Sequence, residues 1–360
     1  MTTFPAIEFD QTKADAFVDD LVGTLNRGAL SLMISIGHRT GLYDKMADLD
    51  WSTSAQIAAA ASLDERYVRE WLGAMTCGRI VEYDPQSRTY FLPPEHAAFL
   101  TRAAAPNNLA VPMQWISVLG HVEDRIVERF RQGGGIGYEC FHRFHEVMAA
   151  ESEQTVVAAL DEIILPMIPG LTDQLEAGID VLDVGCGAGK AACHLAELYP
   201  QSRFVGYDLC QEAVDAANDL AKDRGLTNIR FERRSAVDLG PADRFDLVTG
   251  FDVVHDQKEP DTVLREIRRV LRPTGTFLMQ DIRASSHLEN NIGAPVAPML
   301  YTISTMHCMT VSLAQDGAGL GTCWGEELAI KMLDEAGFDN VRVEKPEHDI
   351  QNNFYICQPA

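Results

Sequence analysis

The residues best suited to chemistry cluster in the second half of the chain. Val181-Leu182-Asp183-Val184-Gly185-Cys186-Gly187-Ala188-Gly189-Lys190 joins an apolar run to a glycine turn that opens a helical pattern. Glycine permits the tight turn and a close approach of backbone to ligand. The helix N-terminus beyond it offers free N–H groups and a positive dipole. A second acid, Asp208, closes the next apolar run nineteen residues after Gly189. A carboxylate at that place accepts both hydroxyls of a ribose. A dinucleotide loop needs G-x-G-x-x-G, whereas Gly185, Gly187 and Gly189 form G-x-G-x-G with Lys190 at the position of the third glycine. Asp183 also stands where a dinucleotide would put its phosphates. An acid there suits a cationic ligand such as an ammonium group.

A second constellation is Phe251-Asp252-Val253-Val254-His255-Asp256-Gln257. It places a histidine directly after an apolar strand-like run. An imidazole with the ordinary pKa near ~6.5 is largely neutral at pH 7 and ready to take a proton. The plainer reading is a histidine that caps a helix or orders its loop. Cys140, His142 and His145 are close in sequence, with His307-Cys308 as the one further pair. Zinc takes about four ligands, usually as two pairs, so no metal site is expected.

These residues need elements to hold them. From Ile179 onward, short β-rich runs alternate with amphipathic helical patterns. The strands expected are 179–184, 203–207, 228–232, 245–249 and 276–280, followed by 340–344 and 353–357. Such alternation implies βαβ units and a parallel sheet covered on both faces. Residues 283–323 break the rhythm and exceed an ordinary connection, so they are expected to be an insertion beside the site. Met299, Tyr301, Met306, His307, Met309 and Trp324 make it soft and apolar, as suits a lid over a lipophilic ligand or plain core. The first 100 residues read as short helices and a hairpin. Asp64 caps a helix with Tyr67, Val68, Trp71, Leu72 and Met75 on one face, and a turn at 84–87 follows, which is a winged-helix pattern.

The sequence has 360 residues, with 30 Lys+Arg against 53 Asp+Glu and a net charge of −23. That length allows two domains. The acidity argues against nucleic acid or an anionic membrane as partner, since phosphate is repelled over most of the surface. In the winged-helix segment Asp64, Glu65 and Glu70 offset Arg66 and Arg69. The longest apolar stretch, near Leu109–Leu119, is well short of the ~20 residues that span a bilayer, and Met1–Asp10 shows no leader pattern. Eight scattered cysteines without a CxxC pair read as reduced thiols of a cytoplasmic protein.

The glycine loop with Asp183 and Asp208 resembles the class I S-adenosylmethionine-dependent methyltransferases. Phe144, Met148 and Ser152 are similar to the F-x-x-x-M-x-x-x-S signature of the two-domain small-molecule O-methyltransferases of plants and bacterial antibiotic pathways. His255-Asp256 matches the start of that family's His-Asp-Trp, with Gln257 in place of tryptophan. The resemblance implies an α/β fold: a Rossmann-like seven-stranded sheet, mostly parallel with an antiparallel strand near the C-terminus, plus a mainly helical N-terminal winged-helix domain. It implies a winged-helix dimerisation domain at 1–105, a helical connector at 106–175 that contributes to the cofactor and acceptor pocket, and a cofactor-binding catalytic domain at 176–360. S-adenosylmethionine (SAM) is the implied methyl donor. Its site would comprise Asp183, Gly185, Gly187, Gly189 and Asp208, with Leu209 on the adenine face. Ser235-Ala236 stands where the family has Asp-Ala, and Asp238 is a substitute for the missing acid. Phe251 would meet the methionine part, with Met148 and Ser152 from the signature helix. Phe144, His145 and His307 are implied on the acceptor side. His255 is the implied general base for an acceptor hydroxyl, oriented by Asp281 as first candidate or Asp256 as second, with Glu289 as the flanking acid in the insertion. A homodimer and a small-molecule acceptor are the implied partners. A SAM-binding sensor without turnover and a winged-helix transcriptional regulator are the alternative readings.

Overall fold

The computed structural model describes residues 9–347 and 349–359. The chain divides into two compact units, Met1–Ser117 and Val118–Ala360.

The first unit begins with one helix of 30 residues, Gln11–Thr40, where short helices are expected from sequence. Asp10 caps it by accepting from the Lys13 amide. Its C-terminal part packs: Ile34 is buried, and the Trp71 indole donates to the Met33 carbonyl at 2.8 Å. Its first half stays in solvent, with Phe17, Val18, Leu21, Val22 and Leu25 all half or more exposed. Thr53 and Gln56 form a reciprocal capping box for Ser54–Ala61. Asp64 caps Glu65–Cys77, whose Val68, Trp71, Leu72 and Met75 are buried. Tyr67 does not share that face; it is 81% exposed. Strands β1 (Glu82–Asp84) and β2 (Thr89–Phe91) then pair antiparallel. The Asp84 carboxylate ties their turn by accepting from the Gln86 and Ser87 amides. Helices followed by this hairpin form the expected winged helix.

The second unit is built on a seven-stranded sheet. Its strands are β3 (Asp180–Val184), β4 (Arg203–Asp208), β5 (Ile229–Arg233), β6 (Phe245–Phe251), β7 (Leu271–Ile282), β8 (Phe338–Glu344) and β9 (Asn352–Pro359). The order is β5-β4-β3-β6-β7-β9-β8, parallel except for β9, which runs antiparallel to both neighbours. Alternate residues feed opposite cores, as a doubly covered sheet requires. Leu182, Val184, Val248, Phe277 and Tyr355 face one cluster, and Val181, Leu247, Leu278 and Phe354 face the other. Helices Lys190–Leu198, Gln211–Asp223, Pro260–Val270 and Gly325–Glu335 cover the faces. The chain order reverses at β3, so the carboxyl ends of β3, β4 and β6 border the crevice where such sheets bind ligands.

The segment after β7 folds into short helices, Leu288–Asn291 and Ala297–Ile303, then a π-helical turn Ser304–Cys308 and Met309–Leu313. A loop through Gly135 crosses this insertion so closely that a Cβ at Gly135 would lie 1.8 Å from the Thr310 carbonyl oxygen. The next amide, Ile136, donates to Thr310 Oγ1 at 3.1 Å. Among the described residues no single helix is long and apolar enough to cross a membrane.

Candidate active site

The glycine loop takes its shape from three left-handed glycines, with φ of 68° at Gly185, 50° at Gly187 and 71° at Gly189. Two of them are also packed tightly. A Cβ at Gly185 would sit 2.2 Å from Val253, and one at Gly189 would sit 2.6 Å from Phe231. Gly187 faces open space. Its amide donates to Asp208 Oδ2 at 2.9 Å, and the Cys210 amide donates to Asp208 Oδ1 at 2.8 Å. These bonds fix the Asp208 carboxylate at the end of β4, beside the loop. Asp183, at the end of β3, is buried and accepts from Thr249 Oγ1 at 2.7 Å. Burial pushes its pKa up to about 7, with Asp208 adding to the rise and Thr249 opposing it. A cation arriving beside Asp183 would restore its charge.

The remaining residues expected at the cofactor site are placed as follows. Leu209 is 55% exposed and offers an apolar face next to Asp208. The Asp238 amide donates to the Ser235 carbonyl, and the Asp238 carboxylate accepts from Gly240, so that turn is held by its own atoms; Ala236 is half-buried within it. Phe251 ends β6 half-buried. The Phe144–Thr155 helix carries Met148 and Ser152, both half-buried, and Glu153 ties it to Lys190 at 3.7 Å. His145 Nε2 lies 3.5 Å from Cys210 Sγ. Cys210 lies two residues after Asp208, and the His145 ring also meets Phe144 edge-on at 5.3 Å.

The second constellation gathers at the ends of β6 and β7. His255 is 4% exposed and Asp281 is fully buried, and His255 Nδ1 lies 2.8 Å from Asp281 Oδ1. A carboxylate only accepts, so Nδ1 carries the hydrogen, and the Cys308 thiol is a further hydrogen-bonding neighbour of the ring. The Trp324 indole and the Ile282 amide also donate to Asp281 Oδ1, at 2.9 and 2.8 Å. Burial works against a charged imidazole here. The Asp281 carboxylate overrides it and holds His255 well above the ordinary histidine range, where the sequence alone suggests an ordinary one. Asp256 has a different partner: Tyr138, half-buried, donates to it. Burial raises the Asp256 pKa, with the His255 charge and the Tyr138 bond opposing.

The wall facing His255 is aromatic. His307 stacks on Phe144 with ring centroids 4.1 Å apart and 12° between planes, and meets Phe141 edge-on at 4.6 Å. Burial drives the His307 pKa down to about 3, so this ring is neutral. Glu289 stands exposed on Leu288–Asn291. The second carboxylate near His255 is instead Asp252, which the sequence reading passed over; donor atoms of Asp252, His255 and Asp281 all lie within 4.8 Å of one another. Tyr138 was also missed, and no local pattern marks it.

Two family models match. Residues 28–102 match the Rv2258c-like winged HTH domain, and residues 175–337 match a methyltransferase domain. The chain joins a winged helix-turn-helix domain to a methyltransferase domain. An uncharacterised methyltransferase of Bacillus subtilis is 33% identical over 111 residues, which is 31% of this chain and 43% of that protein. The chain spans about half or less of the length of the curated relatives that it matches. Solved structures align over nearly the whole length. An O-methyltransferase family protein from Burkholderia thailandensis has a TM-score of 0.68 at 16% identity, covering 95% of this chain and 98% of that one. Human N-acetylserotonin methyltransferase, solved in complex with SAM, has a TM-score of 0.66 at 16% identity, covering 99% and 100%. At such identity the likeness is one of fold. The methyltransferase domain thus contains the glycine loop, Asp183, Asp208, His255 and Asp281.

Proposed function

We propose that this chain is a SAM-dependent methyltransferase that methylates a hydroxyl of a small-molecule acceptor. The carrying observation is the pair of strand-end acids, Asp183 and Asp208, on either side of a glycine loop whose middle glycine faces open space. Asp208 accepts the ribose hydroxyls, and Asp183 meets the ammonium of the methionine part. Relatives with methyltransferase domains and a fold neighbour holding SAM support this reading.

The sulfonium supplies an activated methyl group, so the chain's own residues need only align the attack and free the nucleophile. The acceptor oxygen attacks the methyl carbon in line, and the carbon–sulfur bond breaks with its electron pair left on sulfur. The acceptor's hydroxyl proton passes to His255 Nε2. Asp281 holds the ring by Nδ1 and stabilises the charged imidazole that results. Phe141, Phe144 and His307 offer flat apolar surface to the acceptor. The exposed apolar stripe on Gln11–Thr40 supports a homodimer, and the cytoplasm is the compartment proposed.

The cofactor assignment is tested by calorimetry with SAM, S-adenosylhomocysteine and NAD. SAM and its demethylated product bind, and NAD does not. Asp208→Ala weakens SAM binding by roughly 1–3 kcal/mol, the scale of a lost charge-assisted partner. Tight NAD binding, or unchanged SAM affinity in that variant, removes the assignment.

A further inference from the structure

The oxygens of Asp281 are used unequally. Oδ1 accepts from His255 Nδ1, Trp324 Nε1 and the Ile282 amide. Oδ2 is buried and has no donor among the described residues. Asp252 is placed to answer it. The register Phe251↔Gln280 between β6 and β7 sets Asp252 and Asp281 side by side at neighbouring strand ends. The Asp252 amide donates to the Gln280 carbonyl at 3.0 Å, and the residue adopts a left-handed φ of 53°. That conformation is uncommon for a residue with a Cβ, though aspartate tolerates it better than most. Asp252 Oδ1 is likewise buried without a donor.

Buried acceptors are nearly always satisfied, and two buried carboxylates this close do not both ionise. One proton resolves both shortages, because a carboxyl group donates where a carboxylate accepts. Asp281 has three donors that favour its charged form; the structure gives Asp252 none on Oδ1. We propose that Asp252 carries the shared proton and donates it to Asp281 Oδ2, a positioning contact that sets the proton affinity of His255. This rests on the reading of His255 as the base. With a fourth donor, Asp281 pulls less strongly on the imidazole, and the ring releases its proton at lower pH. Other ionisable groups also face His255: Asp256 on its own loop, and His307, Cys308 and Cys323 from the insertion. Asp256 is already engaged by Tyr138, and His307 is neutral.

Two substitutions separate the donor from the carboxyl's mere presence. Asp252→Asn keeps an N–H donor for Oδ2. Asp252→Gly removes the donor while relieving the left-handed backbone, so folding is not the limit. The readouts are the His255 midpoint, from imidazole nitrogen shifts in acceptor-free protein, and the acid limb of the pH–rate profile. The amide variant keeps the wild-type midpoint. The glycine variant raises it by about one pH unit, the usual scale for a neighbouring charge left unshared. Equal midpoints in all three proteins, or an amide variant that moves with the glycine variant, overturn the proposal. A midpoint that moves in the nitrogen spectrum while the rate profile stays still supports the contact and removes His255 as base.

Discussion

Binding of the cofactor should depend on pH through Asp183, and the structure gives the size. The carboxyl is buried at the end of β3 with a pKa pushed up to about 7. An ammonium ligand needs the ionised form. With that midpoint, about nine-tenths of the free protein is ionised at pH 8 and about one-tenth at pH 6. The dissociation constant for S-adenosylhomocysteine, which keeps the ammonium, should therefore rise about tenfold from pH 8 to pH 6, or about 1.4 kcal/mol. Calorimetry in buffers of different ionisation heat should find about half a proton released on binding at pH 7. Asp183→Asn should bind more weakly at pH 8 and lose the pH dependence. The sign also holds for folding. An unfolded aspartate loses its proton near pH ~3.9 while the folded one keeps it to about 7, so free-protein stability falls across that interval as pH rises. A dissociation constant that stays flat from pH 8 to pH 6 in the wild type would refute the placement of the ammonium at Asp183.

His255→Ala should leave SAM affinity nearly intact and lower kcat by about 10²–10⁴-fold, with the acid limb of the pH–rate profile abolished; unchanged turnover with a true acceptor would end its assignment as base. Because Asp281 raises the His255 pKa against the effect of burial, the wild-type rate should climb with pH through a midpoint above the ordinary histidine value. The stability supplied by the charged His255–Asp281 pair is full below the unfolded-state midpoint near ~6.5 and should be lost as pH rises through the folded one, which paired thermal melts of wild type and His255→Ala would read. Light scattering at micromolar concentration should give a dimer, and Leu21→Glu with Leu25→Glu should shift it to monomer; a wild-type monomer counts against the role given to the exposed stripe.

Much of the second unit was legible because buried parallel strands are written as continuous apolar runs. Val181–Val184 and Phe204–Tyr207 leave little alternative, and Asp183 and Asp208 follow from their ends. The start of β7 was less visible, since Arg272, Pro273 and Gly275 look like a turn; in the structure Arg272 pairs with Asp180 and Asp246 across the sheet. The long first helix was obscured for a related reason. Gly23 and Gly28 lie inside it, and the helix runs through both. Asp281 was legible as a strand-end acid near His255. The Tyr138–Asp256 bond joins residues 118 apart in sequence, a pairing that no spacing rule encodes. Glu289 stands exposed, since sequence does not fix where an insertion turns outward.

The crossing at Gly135 has a consequence for redesign. Since even a methyl group there would collide with the backbone at Thr310, the ribbon through 133–137 and the insertion behind it are moulded to each other. Tyr138, Phe141 and Phe144 follow directly on that ribbon, and His307 packs against all three rings from the other side. Under the proposed function, acceptor choice would be written in two distant stretches that must change together. Transplanting residues 283–323 from another enzyme to retarget the reaction would bring one half of a mould without its counterpart, and a working chimera would carry residues 133–144 from the same donor.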